Sequence, residues 1–476
     1  MIAGPLLLLI LPLAMAGIVY ILLRWTSLSA LLAAGTALAL GFAIVTLPLD
    51  QPVRFWGGRQ IAMGETVTFF GRELVLEQAD RMAMAFIFFT SAGVFFLAWR
   101  FAQHSLLLPM GLALLSLLSG ALLIRPLIYA ALLVEIAAAL SVFALQAEGR
   151  PSTRGGLRYL TFTTLALPGL LVTHWLLERY ALTPDETALL SMAATLLALS
   201  FALLLGVVPF HTWVPAVASD SVPLGGTFVL TIGNGAVWFL MLDFLETYPW
   251  LSRHPSFESF IGAAGLAMTV VGGLLAPTQR HLGPLAGYAA LVDSGAALIA
   301  LGMNSRLGLT LALLSLLVRP FGLILMSAGL SGLRACNGGE DAIDSLRGFG
   351  RQAPWSTAAL LFGGLSAAGL PVGAGFVWRW ALCRALARSS PGTALVVLLA
   401  GVGVMVGVWR GLSALLARSR APEDQSVVSL APSEGWLTAG VVALAILACV
   451  GLGLFPQVLA PLAAQLAESY TFFVVP

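Results

Sequence analysis

Lysine is missing altogether: all 24 basic residues are arginine. Arginine is effectively never deprotonated, whereas a buried lysine can lose and regain its proton, so any mechanism built on a neutral lysine is excluded. Charge of either sign is scarce, at 10% of residues against the roughly one quarter a soluble chain carries. The net charge of +2 leaves no electrostatic footprint for nucleic acid. Cysteine is limited to Cys336, Cys383 and Cys449, whose separations match neither a metal site nor a disulfide framework. Isolated thiols in apolar surroundings read as inert packing.

Apolar sequence fills the chain. It is 59% hydrophobic with a mean hydropathy of +0.96, and its runs repeatedly reach the ~20 residues a helix needs to cross a bilayer. The reading is an all-α polytopic membrane protein with about fourteen spans. They lie near 2–23, 27–48, 82–101, 105–124, 126–146, 157–178, 187–208, 222–244, 257–276, 282–303, 307–333, 354–376, 391–416 and 434–456. The first run lacks a basic n-region and a small-residue cleavage site, so a retained span is expected. The stretch 49–81 is too polar to span, and the alternation in TVTFFGRELVLEQ predicts a small β-hairpin over one face.

An even number of spans puts both termini on one side. The opposite loops hold Arg24, Arg100, Arg150, Arg154, Arg158, Arg280, Arg334, Arg347, Arg351, Arg418 and Arg420. The terminal side holds fewer, unless Arg54, Arg59, Arg72 and Arg81 of the hairpin loop are counted. The positive-inside rule therefore predicts a cytoplasmic 147–156 loop and outward-facing termini.

Two spans are interrupted. VPFHTWVPAVASD (208–220) sets two prolines around a histidine at the end of the seventh span; GLPVGAGFVWRW (369–380) sets glycine, proline and an arginine at the end of the twelfth. Each is the fourth span of a block of five, counting from the fourth and the ninth. Matched interruptions in two halves point to a repeat-built transporter with its pathway near the midplane. Ordinary proline kinks are the other reading.

At VPFHTWVPAVASD the chain resembles the antiporter-like subunits of respiratory complex I, which are related to membrane-bound hydrogenase subunits and Mrp-type cation/proton antiporters. The family's P-[FL]-H-x-W-L-P stretch is here Pro209, Phe210, His211, Thr212, Trp213, Val214 and Pro215. ELVLEQADRMAMAFIFF (73–89), QRHLGPLAGYAALVDSG (279–295), the long segment 343–380 and VGVWRGL (406–412) are similar to further family segments in the same order. The resemblance covers about residues 73–420. It implies two inverted five-helix repeats, each with a broken helix. The division is then 1–104 (helices 1–3 and the hairpin loop), 105–250 (first repeat), 251–420 (second repeat) and 421–476 (last helix and tail).

The resemblance also implies a proton path along the midplane. Glu135, alone in LLVEIAAALSVFALQ (132–146), stands at the family's fifth-span glutamate. An intramembrane carboxylate is a functional candidate by default; a protonated packing residue or an interhelical hydrogen bond is its other reading. The family's relay lysines fall at or near Leu204, at Gly233 beside Asn234, and at Gly283; its tenth-span histidine falls at Asp293. Asp293 either carries a proton or is held ionised by an arginine, for which Arg319 is the obvious candidate. Arg379, at the twelfth-span charged position, can set a field or pair with an anion but cannot relay. His211 titrates in the right range, or caps the turn. His281 is expected in a short loop, and Asp243 and Glu246 are expected solvated at a helix end.

The expected function is thus an antiporter-like membrane-arm subunit of a redox-driven proton-translocating complex, of the complex I or hydrogenase type. The proton relay candidates are Glu135, Asp293, His211 and Asn234, with Arg319 and Arg379 tuning charge. No redox centre, cofactor or metal is expected within this chain. The expected partners are other membrane subunits, the bilayer and protons or Na+, in a bacterial or archaeal-type inner membrane. The alternatives are a structural subunit of the same fold that has lost conduction, and an Mrp-type antiporter component.

Overall fold

The computed structural model describes residues 2–473, save 55–59, 70, 102–105, 147–153, 184, 255 and 419–433. Arg59, Arg150, Arg420 and most of the 147–156 loop lie outside the described residues.

From the N-terminus, β1 (Ile2–Ala3) leads into α1 (Gly4–Ile21) and α2 (Thr26–Thr46). The polar stretch that follows carries β2 (Val53–Arg54), β3 (Gln60–Ala62), β4 (Val67–Phe69) and β5 (Arg72–Leu74). Strands β4 and β5 form the expected antiparallel hairpin, and β6 (Ile124–Arg125) extends it. Then come α3 (Gln78–Phe101), α4 (Leu107–Leu123), α5 (Ile128–Leu145), α6 (Arg154–Leu182), α7 (Thr187–Leu205) and α8 (Trp213–Asp220). A π turn over Val229–Gly233 joins α9 (Pro223–Phe228) to α10 (Asn234–Thr247) in one span. The second half runs α11 (Phe257–Leu275), α12 (Leu282–Leu301), α13 (Arg306–Cys336), α14 (Pro354–Ala368), α15 (Gly375–Ser389) and α16 (Pro391–Leu416). The chain closes with α17 (Trp436–Leu454) and α18 (Ala460–Glu468).

Among the described residues twelve spans are long and apolar enough to cross a membrane. The shorter apolar α4 and the broken pair α14–α15 complete the fourteen-span pattern. Three spans form the enclosed centre. Pro223–Thr247, Leu282–Leu301 and Arg306–Cys336 are buried over 94, 83 and 78% of their most apolar windows, and no other span exceeds 67%. A helix surrounded by protein can carry polar groups that a lipid-facing one cannot.

Both breaks have the same backbone cause. Helix α7 ends on Gly206 at φ 69° and ψ 40°, and α14 ends on Gly369 at φ 70° and ψ 35°. In each case the glycine N–H bonds back to the last helical carbonyls, so the helix stops without stranding them. A side chain would also collide. An added Cβ on Gly206 would stand 2.9 Å from Val214 Cγ2, and one on Gly369 would stand 2.5 Å from Arg379 Cδ. The chain therefore folds back tightly enough for α8 and α15 to pack over the end of the helix they follow. The span order and these matched breaks agree with two five-helix repeats, α4–α10 and α11–α16.

The terminal side departs from expectation. Asp243 is not solvated but only 7% exposed, and the Tyr470 hydroxyl of the C-terminal segment lies 3.5 Å from its Oδ1. Helix α18 packs on α13, held by a 2.6 Å ion pair between Arg306 and Glu468. The tail then lays Thr471 and Phe472 on Glu246, whose carboxylate accepts both backbone N–H groups at 2.7 and 3.1 Å. The segment thus docks against its own chain.

Gly206→Ala and Gly369→Ala are each expected to cost about 1–2 kcal/mol for the left-handed backbone alone, with the Cβ collision added. Gly392, with open space around its Cα, serves as the neutral control. Thermal unfolding of the purified chain in detergent reads the difference. A Gly369→Ala transition matching that of Gly392→Ala would refute the backbone argument.

Candidate charge site in the membrane core

Asp293 stands midway along α12, and Arg379 one turn into α15, just past the second break. They are 5% and 2% exposed, and Arg379 Nη2 donates to Asp293 Oδ1 in a buried ion pair. The break makes the contact possible. Because Gly369 has no side chain, the Arg379 stem lies against its Cα, while the guanidinium sits 5.5 Å from the centre of the Trp378 ring. The Nε and Nη1 groups of Arg379 are buried without a hydrogen-bond partner.

Asp293 is therefore paired, but not with Arg319. Arg319, on α13, spends its donors on neutral acceptors: Nη1 on Asn234 Oδ1 at 3.0 Å and Nη2 on the Leu230 carbonyl at 2.8 Å. The π turn presents that carbonyl and Asn234 together on the side facing α13, so a neutral pair of acceptors reaches Arg319 where no carboxylate does. Two guanidinium groups and one carboxylate thus meet in the enclosed centre, an excess of one positive charge.

Glu135 lies apart. Its Oε1 accepts from Thr164 on α6 at 2.5 Å, its Oε2 is buried without a partner, and no cation pairs with it among the described residues. Its neighbours Leu132 and Ile136 are 41% and 53% exposed, so this face of α5 is at the perimeter. Between Glu135 and the central charges, the place of a Gly233 side chain is faced by the Tyr159 hydroxyl, 3.9 Å from an ideal Cβ. Tyr159 itself packs on Trp213, ring centres 4.9 Å apart, within an apolar cluster containing Ala138, Val229 and Leu230. His211 occupies the single turn Phe210–Thr212 between α7 and α8, with its Nδ1 buried and unpaired. The structure brings Asp293, Arg379, Arg319 and Asn234 together and leaves Glu135 and His211 outside that group.

A further cluster escaped the sequence. The sequence places Arg334 and His281 among loop charges and assigns no role to Asp341. Arg334 in fact reaches across from the end of α13 to the carbonyls of Ser221 and Ser219, both at 2.8 Å, and to Asp341 Oδ2 at 2.6 Å. Asp341 also holds His281 Nδ1 at 3.0 Å and accepts from the Gly283 N–H at 3.1 Å. The clasp ties the end of α8 to the start of α12, one repeat to the other. It also fills the space at Gly283: an added Cβ would lie 2.9 Å from Asp341 Oδ2 and 3.0 Å from Arg334 Nη2. Burial alone would raise the Asp341 carboxyl, but the Arg334 guanidinium and the His281 ring outweigh it and hold the carboxyl below the usual range. The available signal was an arginine ending a span seven residues before an aspartate.

Residues 154–405 match the family model described as NADH:quinone oxidoreductase/Mrp antiporter, TM. NADH-quinone oxidoreductase subunit N 1 of Solidesulfovibrio magneticus is 30% identical over 330 residues, covering 67% of this chain and 70% of that one. For other subunit N relatives, from Chromohalobacter salexigens and Parafrankia sp., the chain spans 41% and 55% of their length. Among solved structures, a chain of the Mrp complex from Dietzia sp. superposes with a TM-score of 0.80 at 18% identity, covering 98% of this chain and 97% of that one. A chain of respiratory complex I from Thermus thermophilus superposes at 0.73 with 19% identity, covering 98% and 99%. At these identities the structures share the fold.

Arg379→Gln is expected to destabilise the protein by about 3–5 kcal/mol, because it strands a buried carboxylate. Adding Asp293→Asn should recover most of that loss, a coupling that a double-mutant cycle of thermal unfolding measures. Purely additive losses would mean that the two side chains are not paired. At the clasp, the Asp341 contribution is present above the ordinary carboxylate range and is lost as pH falls through the depressed value. The stability gap between the parent and Asp341→Asn should accordingly be full at neutral pH and close toward acid; a gap constant with pH would exclude this linkage.

Proposed function

The chain belongs to the NADH:quinone oxidoreductase/Mrp antiporter transmembrane family, and on that footing we propose that it is an antiporter-like membrane-arm subunit of a redox-driven, proton-translocating complex of the complex I or hydrogenase type. It couples electron transfer in partner subunits to proton movement and carries no redox chemistry of its own. The division into residues 1–104, 105–250, 251–420 and 421–476 follows the two-repeat plan. The orientation has the termini outward across an inner membrane.

The carrying observation is the buried Asp293–Arg379 pair beside a second buried guanidinium, Arg319. With lysine absent, the arginines supply a fixed field and the carboxyls supply the exchangeable protons. When Asp293 takes up a proton, its hold on Arg379 is lost and the local charge rises by one unit. In a low-dielectric interior that change is felt over several ångströms. Arg319, hydrogen-bonded to the neutral amide of Asn234, forms the link toward the first repeat, and Glu135 and His211 are the titratable groups on that side. Glu135 also bears on partners. A half-buried carboxyl on a lipid-exposed face is costly, which fits a face covered by another membrane subunit.

The same pair supports a second reading. A carboxylate held by a permanent cation is withdrawn from proton traffic, and Gly233, Gly283 and Leu204 stand where the relay lysines would. The chain would then be a structural member of the membrane arm. Proton translocation per electron transferred, measured on the reconstituted native complex, separates the two. On the conducting reading Asp293→Asn lowers that ratio severalfold, with Glu135→Gln having a smaller effect. Pumping at the parent ratio and full electron-transfer rate in both variants would leave only the structural role.

A further inference from the structure

At the terminal side lies a second buried charge cluster, remote from the central pair. Asp80, at the start of α3, is 2% exposed; its Oδ2 accepts from the Glu77 N–H at 3.1 Å and meets Arg125 Nη2 at 3.5 Å. Asp243, on α10, is 7% exposed, and its Oδ2 has no hydrogen-bond partner. Its Oδ1 lies 3.5 Å from the Tyr470 hydroxyl of the C-terminal tail. The charged groups that act on Asp243 come from several elements: Asp80 and Glu77 at the start of α3, Arg125 on β6, and Tyr470 from the tail. Helices α4 and α7, which also pack on α10, carry no titratable side chain. Glu246, one turn on, is occupied by the tail. Three carboxyls therefore face one guanidinium, and Asp80 holds that guanidinium.

We propose that Asp243 is a proton-binding site and that the C-terminal tail is its cover, docked while the carboxyl is neutral and lifted when it loses its proton. An ionised Asp243 would lie out of water beside the Asp80 carboxylate with no cation of its own, a burial that is strongly disfavoured. Protonation forms one O–H bond at Oδ2 with a proton from terminal-side water, and no electron moves. Burial, and then the neighbouring Asp243 and Asp80, push the Tyr470 phenol well above the usual tyrosine range. The phenol therefore remains an O–H donor throughout, and the carboxyl is the group that switches. The tail is held by the buried Tyr470, Phe472 and Phe473 side chains and by a set of hydrogen bonds. Glu246 accepts from Thr471 N at 2.7 Å, Thr471 Oγ1 at 2.6 Å and Phe472 N at 3.1 Å, and Ser252 Oγ donates to the Phe472 carbonyl at 2.5 Å. The switch does not require that protons cross the membrane. It would expose or seal a proton-holding carboxyl on one face.

The linkage has a definite sign. Docking and protonation favour one another, so docking is strongest below the titration of the undocked carboxyl, weakens by about tenfold per pH unit above it, and levels off once the docked site has titrated. Hydrogen–deuterium exchange of the full chain, corrected for intrinsic exchange rates, reads it at the Thr471 and Phe472 amides. Their protection should fall with rising pH while the central spans stay protected. In Asp243→Asn, a neutral isostere, protection should be high and flat across the same range. In Glu246→Gln, protection should drop at every pH with the slope retained. A flat profile in the parent, a parent-like slope in Asp243→Asn, or loss of the slope in Glu246→Gln would each overturn the proposal. Infrared pH-difference spectra of the unmodified chain give a check that needs no variant. A buried carboxylic acid band should vanish over the pH range in which the tail is released, and its absence would overturn the proposal as well.

Discussion

A charge in a bilayer core must be enclosed and answered, and this constraint governs the whole molecule. No water is at hand to solvate an unpaired guanidinium, so each buried arginine among the described residues is met by oxygen. Arg379 meets Asp293, Arg319 meets Asn234 and Leu230, and Arg334 meets Asp341 and two serine carbonyls. The same rule applies to backbone. Helix breaks at membrane depth survive only where protein surrounds them and the freed carbonyls are bonded. Both breaks here end on a left-handed glycine that performs this service and clears room for the next helix.

Using arginine in place of lysine changes what the core can do. A lysine relay passes protons through its own neutral state; a guanidinium does not. The central arginines therefore act as fixed charges. At Gly283, where a family lysine would stand, the Arg334–Asp341 clasp fills the space; at Gly233 the Tyr159 hydroxyl lies 3.9 Å from an ideal Cβ, an ordinary contact. One repeat is thereby locked to the other through hydrogen bonds rather than through a chain of titrating amines.

Much of the architecture was legible before any coordinates. Hydropathy located the unbroken spans to within a few residues and placed the two broken ones short, ending 187–208 and 354–376 where the chain continues to Asp220 and Ser389. The alternation in TVTFFGRELVLEQ marked the hairpin, and the Gly/Pro interruptions marked both breaks. These are local properties: a bilayer demands long apolar runs, and glycine and proline act on their own backbone. Partner choice was harder to read. Asp293 was expected to pair with Arg319, yet the fold delivers Arg379, because the second break swings α15 across α13. Asp243 looked solvated near a helix end, yet a tail more than two hundred residues later in the chain covers it.

Composition and periodicity by themselves thus determined the solvent this protein lives in, its span order, its paired breaks and the absence of any lysine relay. Each follows from residues within one helix length of each other. Only the tertiary structure decided which arginine answers which acid, which carboxyls are stranded, and what closes over them. Those outcomes depend on the crossing of helices far apart in sequence, and on a few ångströms of space that a glycine leaves open or a neighbouring side chain fills.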